Sequence, residues 1–331
     1  MTIKLGIIGA GWIAAKMAQT LRDLANPEIE LYAIASRDLA KAQEFARRFA
    51  MPKAYGGYAE MLADPEVNLV YIATPHSHHF EHSRMAIEAG KPVLCEKAFT
   101  ANAREAETIL ELAHNRGVFI TEAIWTRYMP LSLKIKELVE GGAIGRPRMI
   151  RAGLCYAMEG KERILRPDLC GGALLDLGVY CLNFARMYFG PHIARTTSSC
   201  VLGPTGTDFH ESISLQYADG RVADLVSGAL ARCNREGLIV GDKGYIVVDN
   251  INCPEAARLY RDYELVETFL PPKEQVSGYE WQVLACKDAL EQSLLESPFM
   301  PHAETVSIMR QMDALRREWG CLYTHLTLPT N

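Results

Sequence analysis

Behind the apolar run Ile3-Lys4-Leu5-Gly6-Ile7-Ile8 the chain reads Gly9-Ala10-Gly11-Trp12-Ile13-Ala14, a G-x-G-x-x-A turn set between a strand pattern and a helix pattern. The first glycine permits a tight turn. The second lets an anionic group approach the backbone, and the small residue in third place lets the helix pack on the strand. The helix N-terminus then points unbonded N–H groups at the turn, which suits a pyrophosphate. Gly9, Gly11, Trp12 and Ile13 are therefore expected to hold a dinucleotide.

The rest of the first third fits such a turn. Strand patterns at residues 4–8, 30–35, 68–73, 93–95 and 118–121 alternate with helical ones. The helical stretch 38–49 carries Leu39, Ala42, Phe45, Ala46 and Phe49 on one side. The stretch 102–115 opens with Asn102 and Glu105 at capping-box spacing and stops at Gly117. Strands alternating with helices imply a parallel sheet covered on both faces. The expectation is an α/β chain whose residues 1–122 form a Rossmann-type, doubly wound domain.

Beyond Glu122 the pattern changes. A helix at 130–140 ends at Gly141-Gly142, a strand follows at 147–157, and a helix at 173–189 stops at Gly190-Pro191. Residues 210–217 and 222–229 join through Ala218-Asp219-Gly220 as a hairpin, and Asp242-Lys243-Gly244 offers a second such turn. Two helices close the chain. Residues 123–323 thus read as an α+β domain with an open, mostly antiparallel sheet, and the uncharged tail 324–331 as a loose end. One face of that sheet takes the helices. The other needs a cover, so a homodimer or higher homo-oligomer is expected.

Composition narrows the functional classes. With 331 residues, 49% hydrophobic and 23% charged, the chain has material for two cores. A net charge of -5 gives no support to nucleic acid or an anionic membrane as partner. Arg146, Arg148 and Arg151 read as a solvated strand edge. No apolar stretch is judged long enough to span a bilayer, and the N-terminal run is too short for a signal peptide. Nine cysteines without C-x-x-C spacing argue against a disulfide framework and a structural zinc site. A reducing cytoplasm is the expected compartment.

Four places can carry chemistry. The second strand ends in Ser36-Arg37, where an NAD site wants an acidic residue for the ribose 2′-hydroxyl. A hydroxyl and a guanidinium suit a 2′-phosphate, so NADP is the expected cofactor; a plain surface arginine followed by a capping Asp38 is the alternative. Thr74-Pro75-His76-Ser77-His78-His79 follows the third strand pattern. Thr74, Pro75, His76 and His79 are read as cofactor contacts and not as metal ligands, since adjacent histidines cannot easily share one ion. Cys95-Glu96-Lys97 ends the next strand. Lys97 could accept a proton there, or simply pair with Glu96. Asp176 and Tyr180 stand four apart in a helix apolar nearly all round. A buried Asp needs a partner; Lys97 from the first domain or nearby backbone groups would serve.

Together these residues resemble the Gfo/Idh/MocA family of glucose-fructose oxidoreductase and inositol dehydrogenase. Within it they look like the branch of dimeric dihydrodiol dehydrogenases and NADP-dependent D-xylose dehydrogenases. Glu122-Ala123-Ile124-Trp125-Thr126-Arg127, Gly171-Gly172-Ala173-Leu174-Leu175-Asp176, Ala54-Tyr55-Gly56 and Cys95-Glu96-Lys97 carry the likeness, with Tyr180 where the wider family has histidine. It runs from the first strand to about Trp319. The resemblance implies an NADP-dependent oxidoreductase acting on a sugar or vicinal diol, with Lys97 transferring the proton, Tyr180 as relay or alternative acid, and Asp176 tuning both. It adds Glu96, Lys97, Trp125 and Arg127 to the cofactor contacts and gives His79 the place of the histidine that follows the family's T-P turn. A keto-sugar reductase of the anhydrofructose type is the alternative within the class, and a dinucleotide-binding regulator without turnover the alternative outside it. Two departures stand out. The family's E-K-P is Glu96-Lys97-Ala98 here, and alanine disfavours a cis bond after the lysine. Leu154 stands where dihydrodiol dehydrogenases place an aromatic.

Overall fold

Strands β1 (Ile3–Ile8), β2 (Ile29–Ala35), β3 (Lys53–Tyr55), β4 (Leu69–Ile72), β5 (Val93–Glu96) and β6 (Ile120–Ala123) form one parallel sheet in the computed structural model, which describes residues 1–158 and 160–321. The order β3-β2-β1-β4-β5-β6 reverses between β1 and β4. In open α/β sheets that reversal leaves a crevice at the carboxyl ends of the strands, where ligands bind. Every residue of β4, β5 and β6 is buried, as in a sheet covered on both faces.

The connecting helices are α1 (Trp12–Leu24), α2 (Leu39–Phe49), α3 (Tyr58–Leu62), α4 (His79–Glu88) and α5 (Ala103–Arg116). Their ends obey local chemistry. The Asp38 carboxylate accepts the Ala40 and Lys41 N–H groups at 2.9 and 3.3 Å, a cap that contributes about 1 kcal/mol to α2. The Asn102 side chain accepts the Glu105 N–H at 3.0 Å, and Gly117 closes α5 in the left-handed region. Ala42, Phe45, Ala46 and Phe49 face the core as the periodicity requires, whereas Leu39 stands outside.

The second unit opens with α6 (Pro130–Glu140), its proline in the first turn where the missing N–H costs nothing. Then come β7 (Pro147–Cys155), α7 (Glu162–Leu165), α8 (Val179–Phe189), β8 (Ile193–Leu202), β9 (Asp208–Tyr217), β10 (Val222–Gly228), β11 (Gly237–Gly241), β12 (Tyr245–Asp249), β13 (Ala256–Arg261) and β14 (Glu264–Phe269). The strands form one sheet in the order β14-β13-β12-β11-β7-β10-β9-β8, antiparallel throughout except where β10 meets β7. β7 is thus an interior strand, not an edge. Arg151 is exposed because it alternates onto the outward face, and Arg148 is exposed where the register with β11 shifts near the start of the strand. On β9 and β10, Ile213, Leu215, Ala223 and Leu225 are buried while Ser212, Gln216, Asp224 and Val226 are exposed.

α8 is buried along its whole length. The stretch Pro167–Phe189 is, contrary to expectation, long and apolar enough to cross a bilayer by composition, but 89% of its apolar window is buried inside this unit.

Two helices end the chain, α9 (Glu280–Glu291) and α10 (His302–Trp319). The compact units are Met1–Ile124 with Gln275–Met309, and Trp125–Glu274 with the residues from Arg310. A single break near residue 122 would leave α9 in the second unit. Instead its Val283, Cys286 and Ala289 enter the cluster of Ile3, Leu5, Met17 and Leu21. The expected loose end at 324–331 lies outside the described residues.

Candidate functional site

At the turn after β1, Gly9 adopts a φ of +100°, and a Cβ there would lie 2.9 Å from the Ala73 carbonyl oxygen and from Thr74 Cγ2. Glycine is thus required for both conformation and closeness. Gly11 differs: a Cβ on it would meet only the Ala73 oxygen, at 3.9 Å. The protein's own packing leaves that space open. Gly11 is the N-cap of α1, no side chain caps the helix, and its first turn carries no acidic residue. The first N–H groups of α1 are therefore left for a ligand, and the bare cradle fits a pyrophosphate. Trp12 is 69% exposed and Ile13 half-buried beside it.

Ser36 and Arg37 follow β2. The Ser36 amide binds the Tyr55 carbonyl at 3.1 Å and its hydroxyl accepts the Asp38 N–H at 3.3 Å. Arg37 is exposed. Asp38, the carboxylate nearest the strand end, is committed to capping α2.

Past β4, Pro75 is exposed and Thr74 and His76 are half-buried. His79 lies wholly inside. Its Nδ1 is 2.9 Å from the Ala98 oxygen and its Nε2 2.8 Å from the Thr74 oxygen. Burial holds its pKa down near 4. His79 joins the turn after β4 to the turn after β5 from within. Burial likewise takes His82 down to about 4, assisted by His78, and Thr74 Oγ1 lies 3.0 Å from His82 Nδ1. Among the described residues no group of three or more His, Cys, Asp and Glu side chains is placed to hold a metal ion.

Glu96 is also an internal residue. Its carboxylate accepts the Tyr71 hydroxyl at 2.5 Å, both groups being buried at the end of the sheet. Lys97 follows, half-buried, at the start of the segment that His79 anchors. The Lys97–Ala98 peptide is cis, against the expectation from an alanine at that place. Ala98 and Phe99 are buried, the former tied through its carbonyl to His79 and the latter through its carbonyl to the Cys95 thiol.

The second unit gathers its own polar set. Trp125 and Arg127 lie in a single 3₁₀ turn, Trp125–Tyr128, which Thr126 pins by donating to the Asn252 carbonyl at 2.7 Å. The Trp125 indole N–H donates to the Tyr180 oxygen at 2.9 Å. Arg127 Nε donates to Asn183 Oδ1 at 2.5 Å, and Asn183 in turn donates to the Val179 carbonyl at 2.8 Å. Asn183, one turn beyond Tyr180, was not singled out in the sequence, although Tyr180 and Asn183 stand at helical i, i+3 spacing.

Asp176 finds its partner within this unit. Arg163 of α7 donates to its carboxylate through Nε at 3.1 Å and Nη2 at 3.0 Å. This guanidinium places a positive charge beside the buried acid. The segment Leu174–Gly178 is a π-turn, not the start of a regular α-helix. Its wider i→i+5 winding shifts Asp176 from the offset that four-residue spacing to Tyr180 implies. Beneath it, Ser227 donates to Glu211 at 2.6 Å in a fully buried pair. Burial, and then Asp208, pushes the Glu211 carboxyl well above its ordinary range. A Cβ on Gly178 would reach 2.9 Å from Ser227 Oγ and 3.1 Å from Glu211 Oε1. The signal for this pair in the sequence is a Glu at one of the inward positions of the alternating strand β9. Leu154 lies fully buried on β7, next to Ser227 in register.

The model of the oxidoreductase family with the NAD-binding Rossmann fold matches residues 3–123, and that of the GFO/IDH/MocA C-terminal domain matches residues 132–247. The chain is 34% identical to a trans-1,2-dihydrobenzene-1,2-diol dehydrogenase of Danio rerio, over 98% of this chain and 99% of the relative. It is 34% identical to a D-xylose 1-dehydrogenase (NADP(+)) of Hypocrea jecorina, over 98% and 94%. Among solved structures, the fold matches an aldose-aldose oxidoreductase from Caulobacter crescentus complexed with glycerol, with a TM-score of 0.87, 20% identity and 97% and 98% coverage. It also matches a 3-ketoreductase from Actinomadura kijaniata with NADP and TDP-benzene, with a TM-score of 0.84, 24% identity and 96% and 98% coverage. With both halves matched and relatives of this identity over nearly full length, the chain belongs to the Gfo/Idh/MocA oxidoreductase family.

Proposed function

We propose that the protein is an NADP-dependent dehydrogenase that interconverts the carbinol and carbonyl forms of a sugar or vicinal diol. The observation that carries this is the cradle at Gly9 and Gly11, open where a pyrophosphate fits, combined with Ser36 and the exposed Arg37 at the end of β2, where an NAD site would place an acidic residue. Arg37 and Ser36 would bind the 2′-phosphate, and Thr74, Pro75 and His76 lie at the same end of the sheet. Hydride exchange is the chemistry that NADP supplies when bound.

The remaining task is a proton. Lys97 takes it from the substrate hydroxyl during oxidation and returns it during reduction. Tyr180 supports this as a hydrogen-bond donor: with the Trp125 indole donating to its oxygen, the phenol proton is what it offers a second partner. Asp176 and Arg163 fix the π-turn that leads into Tyr180. The dehydrogenase names of relatives spanning nearly the whole chain favour the oxidative reading on a diol or aldose. Keto-sugar reduction is the same step reversed.

A panel of aldoses, vicinal diols and keto-sugars, followed through NADPH absorbance, tests the reading. Lys97→Met should lower turnover by roughly 10²–10⁴-fold, the usual worth of general acid–base catalysis, with NADPH binding retained. Tyr180→Phe should cost less. Tight NADPH binding without turnover on any of the panel would establish the regulator instead, and full activity of Lys97→Met would pass the proton role to Tyr180.

A further inference from the structure

Two pairs of thiols approach each other in the second unit, and their surroundings differ. Cys233 is exposed on the link between β10 and β11, and Cys155 is the buried last residue of β7. The sulfur of Cys233 accepts two backbone N–H groups, that of Cys155 at 3.1 Å and that of Arg235 at 3.3 Å. The first of these bonds sets the Cys233 sulfur against Cys155, whose own thiol feels it. The Arg235 guanidinium interacts electrostatically with Cys233, and it is held in place by Tyr156 at 3.4 Å and Glu255 at 3.8 Å.

Reactive cysteines sit in accessible places where N–H donors and cations can hold negative charge on sulfur, often next to a second thiol. Cys233 has all three features. Burial first, then Cys233 itself, pushes the Cys155 thiol up to about 12, so Cys155 is the quieter partner. The other pair lacks this setting. Cys200 and Cys321 also influence each other, but they face the buried Asp208 and Glu211 carboxyls, the Cys321 thiol donating to Asp208 at 3.9 Å.

We propose that Cys233 and Cys155 form a reversible oxidation site in which Cys233 reacts first with a hydroperoxide and Cys155 closes the disulfide. In the first step the Cys233 sulfur takes the distal oxygen of the hydroperoxide. The O–O bond breaks, one molecule of alcohol or water leaves, and sulfur becomes a sulfenic acid. In the second step the Cys155 sulfur attacks the Cys233 sulfur. The S–O bond breaks, the thiol proton leaves with the hydroxide as water, and the disulfide forms. A dithiol restores both thiols by exchange. The link would tie the end of β7 to the β10–β11 connection, one residue beyond Leu154.

The test treats the intact protein with hydrogen peroxide and follows free thiols and cross-linked peptides by mass spectrometry. The expected result is loss of two thiols per chain, a single peptide pair joining positions 155 and 233, and full recovery with dithiothreitol. Cys233→Ser should abolish the thiol loss. Cys155→Ser should leave an unlinked sulfenic acid that dimedone captures at Cys233. If the disulfide joins Cys200 to Cys321, if Cys233→Ser does not reduce the thiol loss, or if dimedone labels Cys155 first, the assignment is wrong. Circular dichroism of both variants shows whether each is folded before its chemistry is read.

Discussion

Arg37 is exposed just past β2, beside Asp38, whose Oδ1 caps α2. A hydrogen bond to a charged group is worth about 1.5–3 kcal/mol. Arg37→Ala should therefore weaken NADPH binding by roughly that amount while leaving NADH binding almost unchanged, which fluorescence titration of both cofactors would show. Equal losses for the two would mean that Arg37 touches something other than the 2′-phosphate. Residues of this kind, at the carboxyl end of a strand, were legible from their position alone. His79 and Glu96 were not. A sequence places them beside the ligand; the fold also sets His79 between the Thr74 and Ala98 carbonyls, to one of which its neutral ring can donate, and Glu96 against the Tyr71 hydroxyl. Polar residues at strand ends answer to buried backbone groups as well as to ligands, and nothing in a linear pattern separates the two.

Elements with both a period and a cap were read closely. α6 spans Pro130–Glu140 as its proline and glycines require, and Asn102 and Gly117 bracket α5. The π-turn at Leu174–Gly178 was missed, since an extra residue in one turn leaves an all-apolar pattern unchanged. Packing under that turn makes two predictions. Gly178→Ala would drive a methyl to 2.8 Å from Leu174 and against the Ser227–Glu211 pair. Overpacking of this sort costs about 1–3 kcal/mol, measurable in urea unfolding. Glu211 makes the second. Its folded pKa is raised, so the stability linked to it is fully present below the unfolded value of 4.5 and is lost as pH rises toward the folded one. Glu211→Gln removes that titration. The variant should gain stability relative to the parent between pH 4 and pH 8, and a constant difference across that range would refute the raised pKa of Glu211.

At the scale of the molecule, the outward face of the eight-stranded sheet carries Val226, Leu238, Val240, Val247 and a stacked Tyr245–Tyr260 pair with ring centroids 4.7 Å apart. Sheets with such a face are commonly closed by a second copy about a two-fold axis. We expect light scattering at micromolar concentration to give a dimer. Val226→Asp, at a residue already 38% exposed, should yield a folded monomer. A wild-type monomer would leave that face for another role. The architecture of two units was legible because strand and helix grammar changes near Glu122. The return of residues 275–309 to the first unit was not, because Val283, Cys286 and Ala289 look like any amphipathic helix until their neighbours are known.

That return has a consequence for how the protein is made. A ribosome delivers β1 to β6 early, but the helix that completes their core emerges only after about 280 residues have been translated. Between those moments the cluster that includes Ile3, Leu5 and Met17 lacks Val283, Cys286 and Ala289, while the whole second sheet is being synthesised. Unfinished apolar surface of this kind is what chaperones bind and what aggregates form from. Messages truncated before codon 275 should accordingly yield insoluble or chaperone-bound product, and a Rossmann domain cut out at residue 124 would need the 275–309 segment supplied, in cis or as a separate peptide, to be recovered in soluble form.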